Sequence, residues 1–399
     1  MGVCSALFEL GGMIIMHDAS GCNSTYTTHD EPRWYDMDSM VYISGLSEIE
    51  AIMGDDDKLI GDICDAAQEL HPRFIAIAGT PIPTMVGFDY EAVAEIIEMR
   101  TGIPTFGFPT TGMNTYIHGA SMALAGIAER LVDTPSAGAA AGEDDPVRVN
   151  VLGLTPLDYS IVGMDRSIAS WLRDNGFEVV SRWAMGSSLE EIARSAEADV
   201  NLVVSSAGLG AAEVLYERFR IPYIVGVPVG DKPEGQSPKV FLANMLRKYA
   251  ERKRKEVAGI GAPLSDKSMF IMTDVSRLTA AGEENAAKGT VAIIGEPVTS
   301  LAIATAIEAG TGRNTKVLCA TELLNMKLRR KDRVTPDEDD IIPELEDVAA
   351  SIADPLYRPI CPADAKFISL PSEAFSGRIY RNDIPDLITD FDKWFSDNQ

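Results

Sequence analysis

Met13-Ile14-Ile15-Met16-His17-Asp18-Ala19-Ser20-Gly21-Cys22 is a run of four apolar residues that passes into a polar, glycine-containing turn and stops on a thiol. So short an apolar run suits a strand buried on both faces, as in a parallel sheet. Loops at the carboxyl ends of such strands are where α/β sheets place their ligands. A thiolate held there can be stabilised by a neighbouring helix N-terminus and can bind iron. A second thiol, Cys4, precedes Cys22 by eighteen residues.

Outward from this stretch, β-rich apolar runs alternate with amphipathic ones, the order expected of βαβ units. Residues 58–70 predict a helix, 73–78 a strand, 90–100 a helix, 103–108 a strand and 118–132 a closing helix. Residues 133–146 are small, polar and acidic, with nothing to bury, and read as an exposed linker. A second block follows: strands at 147–152, 177–181, 201–205 and 223–227, helices at 164–175 and 211–219, and another helix capped by Ser187. Beyond a basic helical stretch at 241–257, a third block opens with a strand at 290–294 and a helix at 301–309. It is interrupted by the densely charged segment 329–346, which reads as a solvated excursion. The expected fold class is α/β, with three Rossmann-like, doubly wound parallel-sheet domains. Their boundaries fall at residues 1–132, 147–230 and 289–399, joined by the linker 133–146 and a helical connecting region at 231–288.

Length and composition agree with this division. The 399 residues exceed what one core usually holds, and 46% hydrophobic with only 7% aromatic residues is an α/β profile. Sixty acidic against thirty-five basic residues give a net charge of -25, which repels a phosphate backbone, so no nucleic-acid partner is expected. No apolar run reaches the ~20 residues that span a bilayer, and the first ten residues lack the features of a secretory signal; no membrane partner and a cytoplasmic location are expected. Five cysteines, Cys4, Cys22, Cys64, Cys319 and Cys361, are odd in number and dispersed, which favours metal ligation or core packing over disulfides. Walker A, Gly-x-Gly-x-x-Gly and Gly-x-Ser-x-Gly signatures are missing from the sequence, and it singles out no catalytic residue.

Plainer readings stand beside the functional ones. Cys4 and Cys22 can be a free terminal residue and a small buried hydrophobe, Cys64 lies on the apolar face of its helix, Cys319 ends a strand, and Cys361 sits between prolines in a loop. His17 either takes part in the site's chemistry or holds its turn by hydrogen bonding, and His118 either caps its helix or lines a pocket. Asp55-Asp56-Asp57 reads as negative charge at a helix start, since consecutive residues point in different directions.

At these residues the chain resembles the nitrogenase component 1 family. His17 to Cys22 is similar to the family's His-Gly-Pro-x-Gly-Cys, and Cys4 falls at its preceding cluster cysteine. Residues 46–60 resemble its Leu-x-Glu segment ending Gly-Gly-x-x-Lys-Leu, and residues 81–89 its turn ending Ile-Gly-Asp-Asp. Residues 108–112 with His118-Gly119 resemble its next glycine-rich loop, and residues 149–192 and 201–226 follow the nitrogenase catalytic subunit in order and spacing. The likeness is nearly complete to residue 230 and looser beyond. Two departures stand out: Thr80 occupies the place of the third cluster cysteine, and Ser205 that of the cysteine anchoring the active-site cofactor, with no histidine after His118 to supply its other ligand. The resemblance implies a cofactor-binding set of Cys4, Cys22, His17 and Ser205, with Cys4 and Cys22 ligating metal. Two cysteines per chain imply a 4Fe-4S cluster shared across a subunit interface. It further implies an oxidoreductase fed low-potential electrons by an ATP-dependent iron protein and paired with an identical or paralogous component 1 subunit. Its substrate is not expected to be dinitrogen; a pocket lined by the loops after Leu152, Ser205 and Ile294 is expected to take an organic or tetrapyrrole-like substrate, or a cofactor held without direct thiolate ligation by this chain. The alternative is a non-catalytic scaffold for metallocofactor assembly.

Overall fold

The computed structural model describes residues 1–398 except 20, 22–30, 55, 136–144, 260–268 and 272–288. Its strands form three sheets, each wholly parallel. The first contains β1 (Met13–Met16), β2 (Met40–Ile43), β3 (Ile75–Ala78) and β4 (Thr105–Phe108) in the order β2-β1-β3-β4. The second contains β5 (Val147–Leu152), β6 (Phe177–Trp183), β7 (Val200–Val203), β8 (Tyr223–Val225) and β9 (Met269–Ile271) in the order β6-β5-β7-β8-β9. The third contains β10 (Thr290–Gly295), β11 (Thr315–Cys319), β12 (Arg333–Val334), β13 (Val348–Ala353) and β14 (Lys366–Ser369) in the order β12-β11-β10-β13-β14. In each sheet the chain leaves its first strand toward one edge and later returns to build toward the other. The topological switch points therefore fall between β1 and β3, β5 and β7, and β10 and β13, where such folds open a crevice at the carboxyl ends.

Helices α1 (Gly2–Leu7), α2 (Glu48–Met53), α3 (Asp57–Leu70), α4 (Pro81–Val86), α5 (Tyr90–Thr101) and α6 (Tyr116–Arg130) accompany the first sheet. With the second come α7 (Pro156–Tyr159), α8 (Met164–Asp174), α9 (Leu189–Ala193), α10 (Leu209–Phe219) and α11 (Pro238–Val257), and α12 (Pro297–Thr311) follows β10. The two-residue period of a strand sorts the core. Along β1, Ile14 and Met16 join a large core cluster shared with the second and third sheets, whereas Met13 and Ile15 join a separate one with Ile60, Ile63 and Cys64 of α3. In β10, Val291 and Ile293 face the shared core, and Ala292 and Ile294 the outer one. Helix α12 is apolar on nearly every side and accordingly runs through the interior.

Arg33 ties the first sheet's unit to the second. Its guanidinium donates to Glu31 at 2.7 Å, to Glu9 at 2.9 Å, to the Ser5 carbonyl in α1 at 2.6 Å and to the Ala184 carbonyl beyond β6 at 3.4 Å. Both Arg33 and Glu31 are buried.

Local differences from the sequence reading have physical causes. Helix α9 is capped by Ser188, whose side chain accepts from Glu191 N–H in a reciprocal capping box, while Ser187 accepts from Arg182 N–H instead. Helix α10 begins at Leu209, two residues before the expected start at 211. Segment 329–346 is only partly solvated: Val334 adds to the sheet edge, and buried Asp332 takes the Val317 N–H and the Arg329 guanidinium. Asp56 stands at the N-cap of α3 and Asp57 in its first turn; Asp55 lies outside the described residues. Among the described residues, no helix is long and apolar enough to cross a membrane.

Candidate functional site

At the switch between β1 and β3, a cavity of about 200 Å³ is lined by Gly2 and Val3 of α1, by Thr80 and Thr111 of the strand-end loops, and by Tyr116 and His118 of α6. Helix α1 reaches this position because residue 2 has no side chain: a Cβ there would lie 1.8 Å from the Tyr116 carbonyl oxygen. Cys4, one turn position further on, is fully buried in the shared core and does not line the cavity. Burial pushes its thiol above the ordinary range, so the unligated side chain keeps its proton. Cys22 lies outside the described residues.

His17 closes the strand end. Its N–H donates to the Ala78 carbonyl at 3.0 Å, its Nδ1 is 2.9 Å from Ser44 Oγ, and its ring packs on Phe88 with centroids 4.4 Å apart. Burial lowers its pKa from 6.5 to about 4, despite the opposing charges of Asp18 and Glu50, and keeps the imidazole neutral. Thr80 donates its hydroxyl proton to the His17 carbonyl at 2.7 Å. His118 lines the same cavity. The other described cysteines are elsewhere: Cys64 on the buried face of α3 in the outer core of the first sheet, Cys319 buried at the end of β11, and Cys361 half-buried against the outer core of the third sheet. Among the described residues, no three His, Cys, Asp or Glu side chains are grouped to hold a metal.

The second and third sheets turn their switch points toward each other. Ser205, following β7, is fully buried and donates to the Gly153 carbonyl at 2.8 Å, so its hydroxyl bridges the loops after β5 and β7. The next residue reaches the third sheet: Ser206 N–H and Oγ donate to Glu296 Oε1 at 2.8 and 2.7 Å. Glu296 also caps α12, accepting from Thr299 N–H at 2.8 Å. Beside it, Asp158 of α7 accepts from Thr155 Oγ1 at 2.6 Å and from the Tyr116 hydroxyl. Asp158, Glu296, Thr299, Asp354, Ser372 and Phe375 are among the residues lining a crevice of about 50 Å³. Burial, reinforced by Glu296, pushes Asp158 up to about 7, and burial raises Glu296 too.

The geometry thus brings His17, Thr80 and His118 to one switch point and Ser205 to another, with Cys4 packed between α1 and its surroundings rather than at a cavity wall. Tyr116, Asp158 and Glu296 escaped the sequence reading. The available signals were local and modest, a Thr-Pro-x-Asp helix start at Thr155, three residues past β5, and a Glu-Pro start at Glu296, directly after β10.

Comparisons with known proteins follow the same lines. The sequence profile described as nitrogenase component 1 type oxidoreductase matches residues 1–321. The nitrogenase iron-molybdenum cofactor biosynthesis protein NifE of Clostridium pasteurianum is 25% identical over 189 residues, 46% of this chain and 38% of that protein. The nitrogenase molybdenum-iron protein alpha chain of the same organism is 26% identical over 185 residues, 46% of this chain and 33% of its own. The matched stretch is therefore well under half the length of either relative. A solved structure, nitrogenase Cp1 at pH 5, superposes with a TM-score of 0.52 and 19% identity, covering 85% of this chain and 68% of its own, a likeness of fold.

Proposed function

Since this chain belongs to the nitrogenase component 1 type oxidoreductase family, we propose that it is a reductase subunit that takes low-potential electrons from an ATP-dependent iron protein and delivers them to a substrate other than dinitrogen. Cys4 and Cys22 hold the iron–sulfur cluster in this reading. With Thr80 bonded to a main-chain oxygen, two thiols remain per chain, so a four-iron cluster draws its other two thiolates from a second copy or a paralogue. Cys4, whose thiol burial keeps protonated, would have to give up that proton to hold a cluster. When bound, such a cluster supplies one-electron transfer. The chain's own residues position the strand-end loops and shape the crevice between the second and third sheets.

The observation that carries this reading is Ser205. A prebuilt metal–sulfur cofactor needs soft protein donors, whereas here the side chain at that position is a hydroxyl spent on the Gly153 carbonyl, and the crevice walls present carboxyl and hydroxyl oxygens. Such walls, oxygen donors set among apolar side chains, suit an organic group better than a metal–sulfur cofactor. The curated relatives named as cofactor biosynthesis proteins favour a second reading, a scaffold that holds an unfinished metallocofactor and passes it on.

Metal analysis after anaerobic purification separates the two. The reductase reading expects iron at about four per dimer and no molybdenum or vanadium. Cys22→Ser is expected to lose the iron and Cys64→Ser to keep it. A heterometal retained stoichiometrically, or release of a cluster to an acceptor protein without substrate reduction, overturns the reductase reading.

A further inference from the structure

Tyr116 links two cavities. It lines the space at the β1/β3 switch, whose rim residues Met1, Pro81 and Asn114 are exposed, and its hydroxyl donates to Asp158, which lines the crevice between the second and third sheets. The three residues that meet here come from three units: Tyr116 from α6 beside the first sheet, Asp158 from the loop region after β5, and Glu296 from the end of β10. Nothing local in the sequence brings them together. Long-range packing does, with α6 lying against α1 on one side and against α10 on the other.

The electrostatics of the junction are one-sided. Asp158 faces Tyr116, Tyr159 and Glu296, and Asp354 stands further along the crevice wall. Among the described residues, no lysine, arginine or histidine lines the crevice. Two carboxyl groups enclosed together without a cation cannot both ionise cheaply, so one proton is retained between them around neutral pH. Glu296 is the better stabilised as an anion, because it accepts three hydrogen bonds from Ser206 and Thr299. The retained proton accordingly resides on Asp158. The Thr155 hydroxyl is a rotor and can turn from donor to acceptor as that proton comes and goes.

We propose that Tyr116 and Asp158 form a proton relay that carries protons from solvent in the first cavity to an acceptor bound in the crevice. In each passage the Asp158 O–H bond breaks and its proton goes to the acceptor. The Tyr116 O–H, already directed at Asp158, passes its proton to the carboxylate, and the phenol regains one from water in the first cavity. No charge accumulates on the tyrosine, whose phenolate is strongly disfavoured by its enclosure beside Asp158 and Glu296, so the two transfers through it are concerted. The relay rests on the crevice being a reduction site, where each electron delivered to an organic substrate is matched by a proton.

The experiment uses the purified full chain, with neither iron protein nor substrate, followed by infrared spectroscopy in H₂O and D₂O. Wild type is expected to show a protonated-carboxyl stretch that titrates near neutral pH and is lost in Asp158→Asn. Tyr116→Phe is expected to keep that band, to raise its midpoint by about one unit through loss of a hydrogen bond to the carboxylate, and to slow exchange of the acid proton into D₂O. A band untouched by Asp158→Asn, or exchange in Tyr116→Phe as fast as in wild type, overturns the relay. Should Asp158→Asn fail to fold, Glu296→Gln replaces it: removal of the like charge lowers the midpoint, and an unmoved midpoint overturns the proposal. Electrons and substrate take no part, so failure here leaves the electron-transfer reading standing, and failure of that reading leaves these spectra unchanged.

Discussion

Thr80 and His17 are joined across the β1/β3 switch by a hydrogen bond of 2.7 Å from the threonine hydroxyl to the histidine carbonyl. Both residues are buried, so the bond is shielded from bulk water. Thr80→Val, which keeps the shape and removes the donor, is expected to lower stability by about 1–2 kcal/mol in urea unfolding, the range for a buried acceptor left unsatisfied. Thr80→Ser is expected to restore most of it.

His17 makes stability depend on acid. Its pKa is depressed from 6.5 in the unfolded chain to about 4 in the fold, so between those values the unfolded state binds the extra proton. The contribution is fully present above pH 6.5 and is lost progressively as pH falls toward 4. Urea midpoints of wild type and His17→Asn are expected to differ less at pH 4.5 than at pH 7.5; a difference independent of pH contradicts a neutral buried imidazole.

Asp158 slopes the other way. Its pKa is raised from 3.8 to about 7, so over that window the folded state binds the extra proton, and stability falls as pH rises through it. Asp158→Asn removes the titration. Its stability relative to wild type is expected to rise between pH 4 and pH 7 and to level off above, measured by thermal unfolding across that series.

Arg33 anchors more than its own loop, because four groups from three parts of the chain converge on it. Arg33→Ala leaves Glu31 buried without its cation and is expected to cost about 3–5 kcal/mol. Glu31→Gln combined with Arg33→Met is expected to cost less than Arg33→Ala alone, a non-additivity that a double-mutant cycle reads directly.

Ser205→Cys tests the position where a cofactor-anchoring cysteine would stand. The side chain is bonded to Gly153 O and fully buried, so a thiol there gives a weaker hydrogen bond, at an expected cost of about 1 kcal/mol. It is not expected to confer retention of molybdenum or vanadium.

Strands such as Ile75–Ala78 and Val147–Leu152 were legible because β-branched residues recur at every second position, the period of a strand. Helix α1 was not: all six of its residues are buried, so it shows no polar face and no period. Strand β9 was likewise missed, since three residues offer too short a run to read. At the sites, single residues could be picked out where a loop followed a strand, as with His17 and Ser205. The Tyr116–Asp158 contact joins positions 42 apart in the chain, and Ser206 meets Glu296 across 90. Such pairings are made by the packing of whole sheets, and no window along a single sequence contains them.

The three sheets repeat one device: polar residues such as His17, Thr80, Ser205 and Glu296 stand in loops at the switch points, while the strands beneath are secured by apolar layers to which these four side chains do not belong. Tenancy of the loops can therefore change without renegotiating the foundation. A threonine can stand where a cluster thiol would be, and a serine where a cofactor anchor would be, and each is accommodated by one hydrogen bond to a neighbouring carbonyl. Exchanging single polar residues in the strand-end loops should then leave the host's melting behaviour largely in place, which makes the architecture a practical chassis for building new sites.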